Sequence, residues 1–402
     1  MSSSSAAVQS EATPMPRSPR EFLRRFGQGE FGSLRVLITL AVIWVIFGLA
    51  HDRFLSAVNL TNLSLQIAGI GLISVGVVLV LLLGEIDLSV AIVSGLCAAI
   101  MAVLNVKHGW SPVLAVLVAI AAGAAIGTFQ GFVHTRFGIP SFVVTLAGLL
   151  GWQGALLWVL GDTGTVNINA TFIVDLAGTF FDDVVGWIIA VALIVVYAAV
   201  TLNGRRERLR AGLEAPPVGL LVVRIVAIAI PVVLTVWIVN QDRGLPLALC
   251  ILVGFVMLFD YITQRTRFGR HIYAVGGNEE AARRAGIRVG RIRVAVFALA
   301  SAMAACGGIM LASRLLAVNQ SSGGSDLLLL AIAGPVIAGT SLFGGRGRVW
   351  SALLGALVIG SINNGMDLLA YSSDTKFMVT GAVLLGAVVV DAATSRRRQK
   401  AG

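Results

Sequence analysis

The chain has 402 residues, 57% of them hydrophobic and only 12% charged, with a mean hydropathy of +0.90. A soluble protein of this length could not cover so much Leu, Val, Ile and Ala, whereas a chain that crosses a bilayer repeatedly needs runs of about 20 apolar residues. A net charge of +10 would point to nucleic acid in a soluble protein; here the basic residues act first as topology markers, and no nucleic-acid partner is expected.

Residues 1–34, opening on "MSSSSAAVQSEATPMPRSP", read as a disordered cytoplasmic tail. They hold Arg17, Arg20, Arg24 and Arg25 and no long apolar run, so no cleavable signal peptide is expected. A membrane-spanning domain then covers 35–391. Apolar runs and punctuation predict an all-α fold of about twelve transmembrane helices, near 35–50, 65–83, 88–104, 112–133, 140–160, 186–202, 219–240, 245–263, 294–313, 327–343, 349–369 and 375–391. Residues 392–402 form a basic cytoplasmic tail. With both termini cytoplasmic, only Arg53, Lys107, Arg243, Arg314 and Lys376 fall outside and Arg224 falls within a span, leaving 24 of the 30 basic residues inside. One missed or invented span would invert that bias for every later loop. The expected location is a membrane that borders the cytoplasm.

Gly123, Gly127 and Gly131 recur every four residues in the fourth span, the spacing by which membrane helices approach closely. Cys97, Cys250 and Cys306 lie in apolar runs with neither metal-ligand nor disulfide spacing, so no metal site is expected. An external segment near 161–185 carries Asp162, Asp175, Asp182 and Asp183 with no Lys or Arg, a docking surface for a soluble partner or a plain solvated loop. "IDLSVAIVSGL" at 86–96 faintly echoes "SDLLLLAIAGPVIAGT" at 325–340, as an inverted repeat would, though two apolar runs resemble each other by chance.

Chemistry is conspicuous by what is missing. Lys107, Lys376 and Lys400 follow no Gly-rich phosphate loop, so this chain is not expected to hold ATP in that way. His51, His108, His134 and His271 are scattered, without a zinc-protease or nucleophile-elbow pattern, so no catalytic residues are expected. Polar groups at membrane depth instead nominate a translocation path: Glu85, Asp87, Gln130, Asn319, Asn363 and Asn364. Each has a structural alternative. Asp87 or Ser89 could cap the third helix, and the two amides could tie helices together. Gln153, Trp152 and Trp158 are weaker candidates. Asp260 reads as an ion-pair partner of Arg265 or Arg267.

The densest charge lies at 265–293, with eight arginines. Within it the sequence predicts a short helix: Asn278 as N-cap, Glu279 and Glu280 in the first turn, Ala281, Ala282 and Arg283 following, and Gly286 as the stop. Barely two turns long, it is marginal alone, so something must hold it.

"EAARRAG", Glu280 to Gly286, resembles the cytoplasmic loop by which membrane subunits of bacterial ABC importers contact their ATPase. "TRFGRHIYAVGGNEEAARRAGI", "GTSLFGGRGRVWSALLGALVIGSINNGMDLL" and "GEIDLSV" resemble the permeases of the ribose, xylose, arabinose and galactose importers, in order from about residue 60 to 390. The family's usual "GIDLSVG" appears here with Glu85 inserted before Ile86 and with Ala91 where Gly is common. Extra material at 175–245, including two spans and "NGRRERLR", makes the chain most similar to the xylose-type permease. The resemblance implies a non-enzymatic transport subunit for a simple sugar such as xylose, working by alternating access. It implies no cofactor in this chain, with ATP and magnesium on a separate ATP-binding subunit at the 264–293 coupling loop. It also implies an extracytoplasmic sugar-binding protein and a permease homodimer. A proton-coupled secondary sugar transporter titrating at Asp87 or Glu85 is the alternative.

Overall fold

The computed structural model describes residues 32–399 apart from Glu214 and Pro216. Of the expected tails, residues 1–31 and 400–402 lie outside the described residues. The helices are α1 (Gly32–Ala50), α2 (Ala57–Leu82), α3 (Val90–Ala102), α4 (Pro112–Phe137), α5 (Ser141–Leu160), α6 (Thr171–Gly178), α7 (Asp183–Arg210), α8 (Val218–Val239), α9 (Leu247–Arg265), α10 (Arg267–Gly277), α11 (Glu279–Arg284), α12 (Val289–Leu315), α13 (Ser325–Ile337), α14 (Trp350–Leu368) and α15 (Ser373–Gln399). A π-helical turn at Val103–Lys107 extends α3. Each predicted span coincides with a helix. Among the described residues, eight helices, α2, α3 with its extension, α4, α5, α7, α8, α9 and α12, are long and apolar enough to cross a membrane.

Three expectations change. Four short strands, β1 (Thr165–Asn167), β2 (Phe180–Phe181), β3 (Leu245–Pro246) and β4 (Ala317–Asn319), form two antiparallel pairs, β1 with β4 and β2 with β3, so the fold is helical but not purely so. The second helix starts at Ala57 rather than near 65, because Ser56 caps it by accepting the Asn59 amide at 3.3 Å. The run near 327–343 is helical only to Ile337, since Gly339, Gly344, Gly345 and Gly347 all take positive φ and cannot continue it.

The centre of the bundle is α2, flanked by α12, α14, α9 and α13. Isoleucines, leucines and valines all round α2 are buried, as expected of a helix surrounded by other helices. The Gly123, Gly127, Gly131 stripe of α4 lies directly on the α12 backbone. A Cβ at Gly127 would sit 2.1 Å from the Phe297 carbonyl oxygen, and one at Gly123 would sit 2.6 Å from that of Ser301. The segment near 161–185 is no plain loop: α6 buries Ile173 and Ala177, and Ser313 of α12 donates to the Val174 carbonyl while accepting the Ala177 amide. Asp182 caps α7.

Segments that the charge pattern groups on one side also touch one another. Lys107 donates to the Leu160 carbonyl at 2.7 Å, Arg243 reaches Asn62 at 2.8 Å and lies over the Phe180 ring, and Lys376 pairs with Asp367. Each of these joins two segments placed on the same, outer side. The loops assigned to the opposite side also meet one another, and there the candidate site lies.

Candidate functional site: an inner junction around a short helix

Residues 83–89, between α2 and α3, sit at the centre of this junction. Asp87 Oδ1 accepts both the amide and the hydroxyl of Ser89, at 2.8 and 2.7 Å, and so fixes the turn that leads into α3. Gln130 of α4 completes this buried cluster, its Nε2 donating to Ser89 Oγ at 2.9 Å. Burial pushes the Asp87 carboxyl up, against the hydrogen bonds from Ser89 and Val90. The turn is also tied to α5, where Ser141 and Thr145 accept the amides of Ile86 and Leu88.

Glu85 points the other way, towards charge. Its Oε1 lies 2.8 Å from Arg293 Nη2 and 3.2 Å from His134 Nε2. His134 Nδ1 lies 2.6 Å from the Ile139 carbonyl oxygen, so both ring nitrogens face acceptors. Burial raises the Glu85 carboxyl, but hydrogen bonds from His134 and Ser141 and the Arg293 charge outweigh it, lowering the value from 4.5 to about 2. Glu85 is therefore ionised across the physiological range.

The short helix α11 stands beside this carboxylate. Asn278 Oδ1 accepts the Ala281 amide at 2.9 Å, Ala285 closes the last turn, and Gly286 follows with φ of +81°. Ala282 is its buried anchor, while Glu280, Ala281, Arg283, Arg284 and Ala285 are exposed. Arg283 and Arg284 pair with Glu279 and Glu280 four residues earlier, both at 2.6 Å. Glu279 also receives Arg293 of α12 on both oxygens, at 3.1 and 2.8 Å. Those contacts supply what two turns of helix lack alone.

Glycines bring the backbones together next to α11. A Cβ at Gly276 would lie 1.8 Å from the Leu82 carbonyl oxygen, and one at Gly344 would lie 2.7 Å from the Gly276 oxygen and from the Gly84 nitrogen. Gly345 donates its amide to the Leu82 carbonyl at 2.9 Å, and Tyr273 of α10 donates to the Gly347 carbonyl at 2.9 Å. Three stretches far apart in sequence, 83–89, 265–287 and 341–348, thus share one packed junction. Asp260, expected to pair with Arg265 or Arg267, lies near Arg348 as well as Arg265.

The nominated path residues do not converge. Glu85, Asp87 and Gln130 belong to the inner junction. Asn319 is on β4 at the other end, where its Oδ1 accepts the Ser321 amide at 3.0 Å and shapes the turn before α13. Asn364 is buried in a reciprocal amide pair with Asn59 of α2, at 2.7 and 3.0 Å, and Asn363 is half-buried beside it. Such a pair satisfies both side chains and ties α14 to α2. Between α3, α12 and the 321–324 turn lies a cavity of about 180 Å³ with Ser94, Ser321, Ser322 and Asp326 in its lining. Its polar groups come from residues that hydropathy alone does not distinguish from turn formers.

The family described as "Branched-chain amino acid transport system / permease component" matches residues 59–388. The chain belongs to this family. The xylose transport system permease protein of Escherichia coli (strain K12) is 37% identical over 91% of this chain and 93% of its own length. That of Haemophilus influenzae (strain ATCC 51907 / DSM 11121 / KW20 / Rd) is 33% identical over 90% of this chain and 96% of its own. The ribose import permease protein of Bacillus subtilis (strain 168) is 31% identical over 90% and 94%. No solved structure matches the chain. Although the family is described by amino-acid transport, these near full-length relatives are described by sugars.

Proposed function

We propose that this chain is the membrane-spanning subunit of an ATP-driven importer for a simple sugar, with xylose or another pentose as cargo. The observation that carries the reading is the convergence of three family-like stretches on the inner junction, with α11 presented at its surface. The chain crosses the bilayer twelve times with both termini cytoplasmic, and two copies form the pore. A separate ATP-binding subunit, carrying ATP and magnesium, grips the exposed Glu280, Ala281, Arg284 and Ala285 face of α11. A sugar-binding protein delivers cargo to the opposite side. The cavity beside Ser94, Ser321, Ser322 and Asp326 is the outward part of the passage, where hydroxyls and a carboxylate suit an uncharged, hydroxyl-rich solute.

Transport follows from two states that the ATPase distinguishes. ATP binding by the partner moves α11, and the Gly276 and Glu85 contacts carry that motion to α2, α3 and α4. The passage then opens to the cytoplasm, provided that the ATPase binds one α11 position more tightly than the other. Glu85, held ionised, lacks the near-neutral titration that a proton carrier needs.

The reading is tested by reconstituting the chain with its ATPase subunit and sugar-binding protein in vesicles. Expected is ATP-dependent uptake of xylose, abolished by Glu280→Arg or Gly286→Pro with loss of ATPase co-purification. Uptake without the ATPase, driven by a pH gradient and lost in Asp87→Asn, would establish the proton-coupled alternative instead.

A further inference from the structure

Arg293 is placed so that a single guanidinium reaches both α11 and the turn between α2 and α3. Its Nη1 and Nη2 hold the two Glu279 oxygens at 3.1 and 2.8 Å, while Nη2 also lies 2.8 Å from Glu85 Oε1. Glu85 passes the connection to α4 through His134 at 3.2 Å. Arg293 and Glu85 are only 17% and 11% exposed, so solvent screens this bridge far less than the Arg284–Glu280 pair, exposed at 78% and 76%. Glu279 is 37% exposed, which makes its contact the more easily broken half of the bridge.

We infer that Arg293 is a positioning residue for transport, transmitting displacement of α11 through Glu85 to the ends of α3 and α4. The inference deepens, and rests on, the reading that an ATPase grips α11. When α11 shifts, Glu279 must draw Arg293 with it or release it. Release would leave Arg293 bound to Glu85 alone, a second arrangement in which the fork has lost one of its two carboxylates. Such a two-state contact is what relays coupling between distant sites.

The test uses the complete importer, with ATPase subunit and sugar-binding protein, in vesicles. Sugar moved per ATP hydrolysed is measured for wild type, Arg293→Met, Glu85→Gln, the double variant and Arg293→Lys. Glu85→Gln keeps the shape of the side chain and so remains informative if Arg293→Met fails to insert. The expected result is at least a roughly fivefold fall in sugar per ATP for either single variant, with an unchanged yield of co-purified ATPase in Glu85→Gln, whose side chain does not touch α11. The double variant should be no worse than Arg293→Met, and Arg293→Lys should fall in between. Unchanged sugar per ATP in Arg293→Met and Glu85→Gln, with a coupled wild type, would overturn the inference. A wild type that neither binds the ATPase nor couples to it would instead overturn the docking reading, and this inference with it.

Discussion

Helices α2 and α7 are nearly matched in length, at 26 and 28 residues, and in the mean hydropathy of their most apolar stretch, 2.5 and 2.6. Yet 89% of that stretch is buried within the protein in α2 and 11% in α7. Greasiness therefore tells that a helix sits in an apolar medium but not whether that medium is protein or lipid. The distinction lies in the minor residues. Helix α2 buries Asn59, Thr61, Ser64, Gly69, Gly71, Ser74 and Gly76, small or hydrogen-bonding side chains that let other helices approach. Helix α7 buries only Gly186 and Ala190 and, with α8, presents Val, Ile and Leu outward, as a lipid-facing hairpin does. Within this chain, α7 and α8 therefore pack little against the remaining helices.

That contrast can be broken most severely at the inner junction. Gly276→Val should abolish transport, because its Cβ has no room beside Leu82 and overpacking of this kind costs about 1–3 kcal/mol or more; vesicle uptake and thermal stability in detergent would read it. Gly127→Leu should part α4 from α12 with a loss of similar size, seen as lowered thermal stability. Asn364→Leu leaves Asn59 Oδ1 without its donor and should cost about 0.6–1.7 kcal/mol, with Asn59→Leu added on top costing less than its own single effect in a double-mutant cycle. Asn278→Ala removes the α11 cap, worth about 1 kcal/mol, and should lower ATPase affinity several-fold while leaving insertion intact. At the other extreme, Val195→Leu on the exposed face of α7 should change stability by less than about 0.5 kcal/mol.

Acid offers a separate handle. The Glu85 value lies below its ordinary one, so the ionised carboxylate stabilises the junction fully above about pH 4.5, and that stabilisation is lost as pH falls from there towards 2. The thermal-stability advantage of wild type over Glu85→Gln should shrink as pH falls below about 4.5.

The positions of the helices were legible because apolar runs between loops record them directly. The start of α2 was not, since Asn59, Thr61, Asn62 and Ser64 dilute its hydropathy, and the partner that makes Asn59 tolerable lies 305 residues away. The same separation made Asn364 look like a passage residue when it is half of a buried pair. The α11 helix was readable from cap to stop because its signals are local. Arg293 was not singled out, because eight arginines in one run are equivalent as topology markers and only tertiary contact separates the one that meets Glu85 and Glu279 from its neighbours. The cavity near Ser94 was likewise hidden, its lining drawn from segments more than 200 residues apart.

The central claim is that motion of α11, powered by a partner's ATP, drives sugar across this chain. It is tested most directly by xylose uptake into vesicles holding the chain, its ATPase subunit and its sugar-binding protein, with and without ATP, for wild type and Glu280→Arg. The account predicts uptake only with ATP and only in wild type. Equal uptake by Glu280→Arg, or uptake that needs no ATPase subunit, would contradict it.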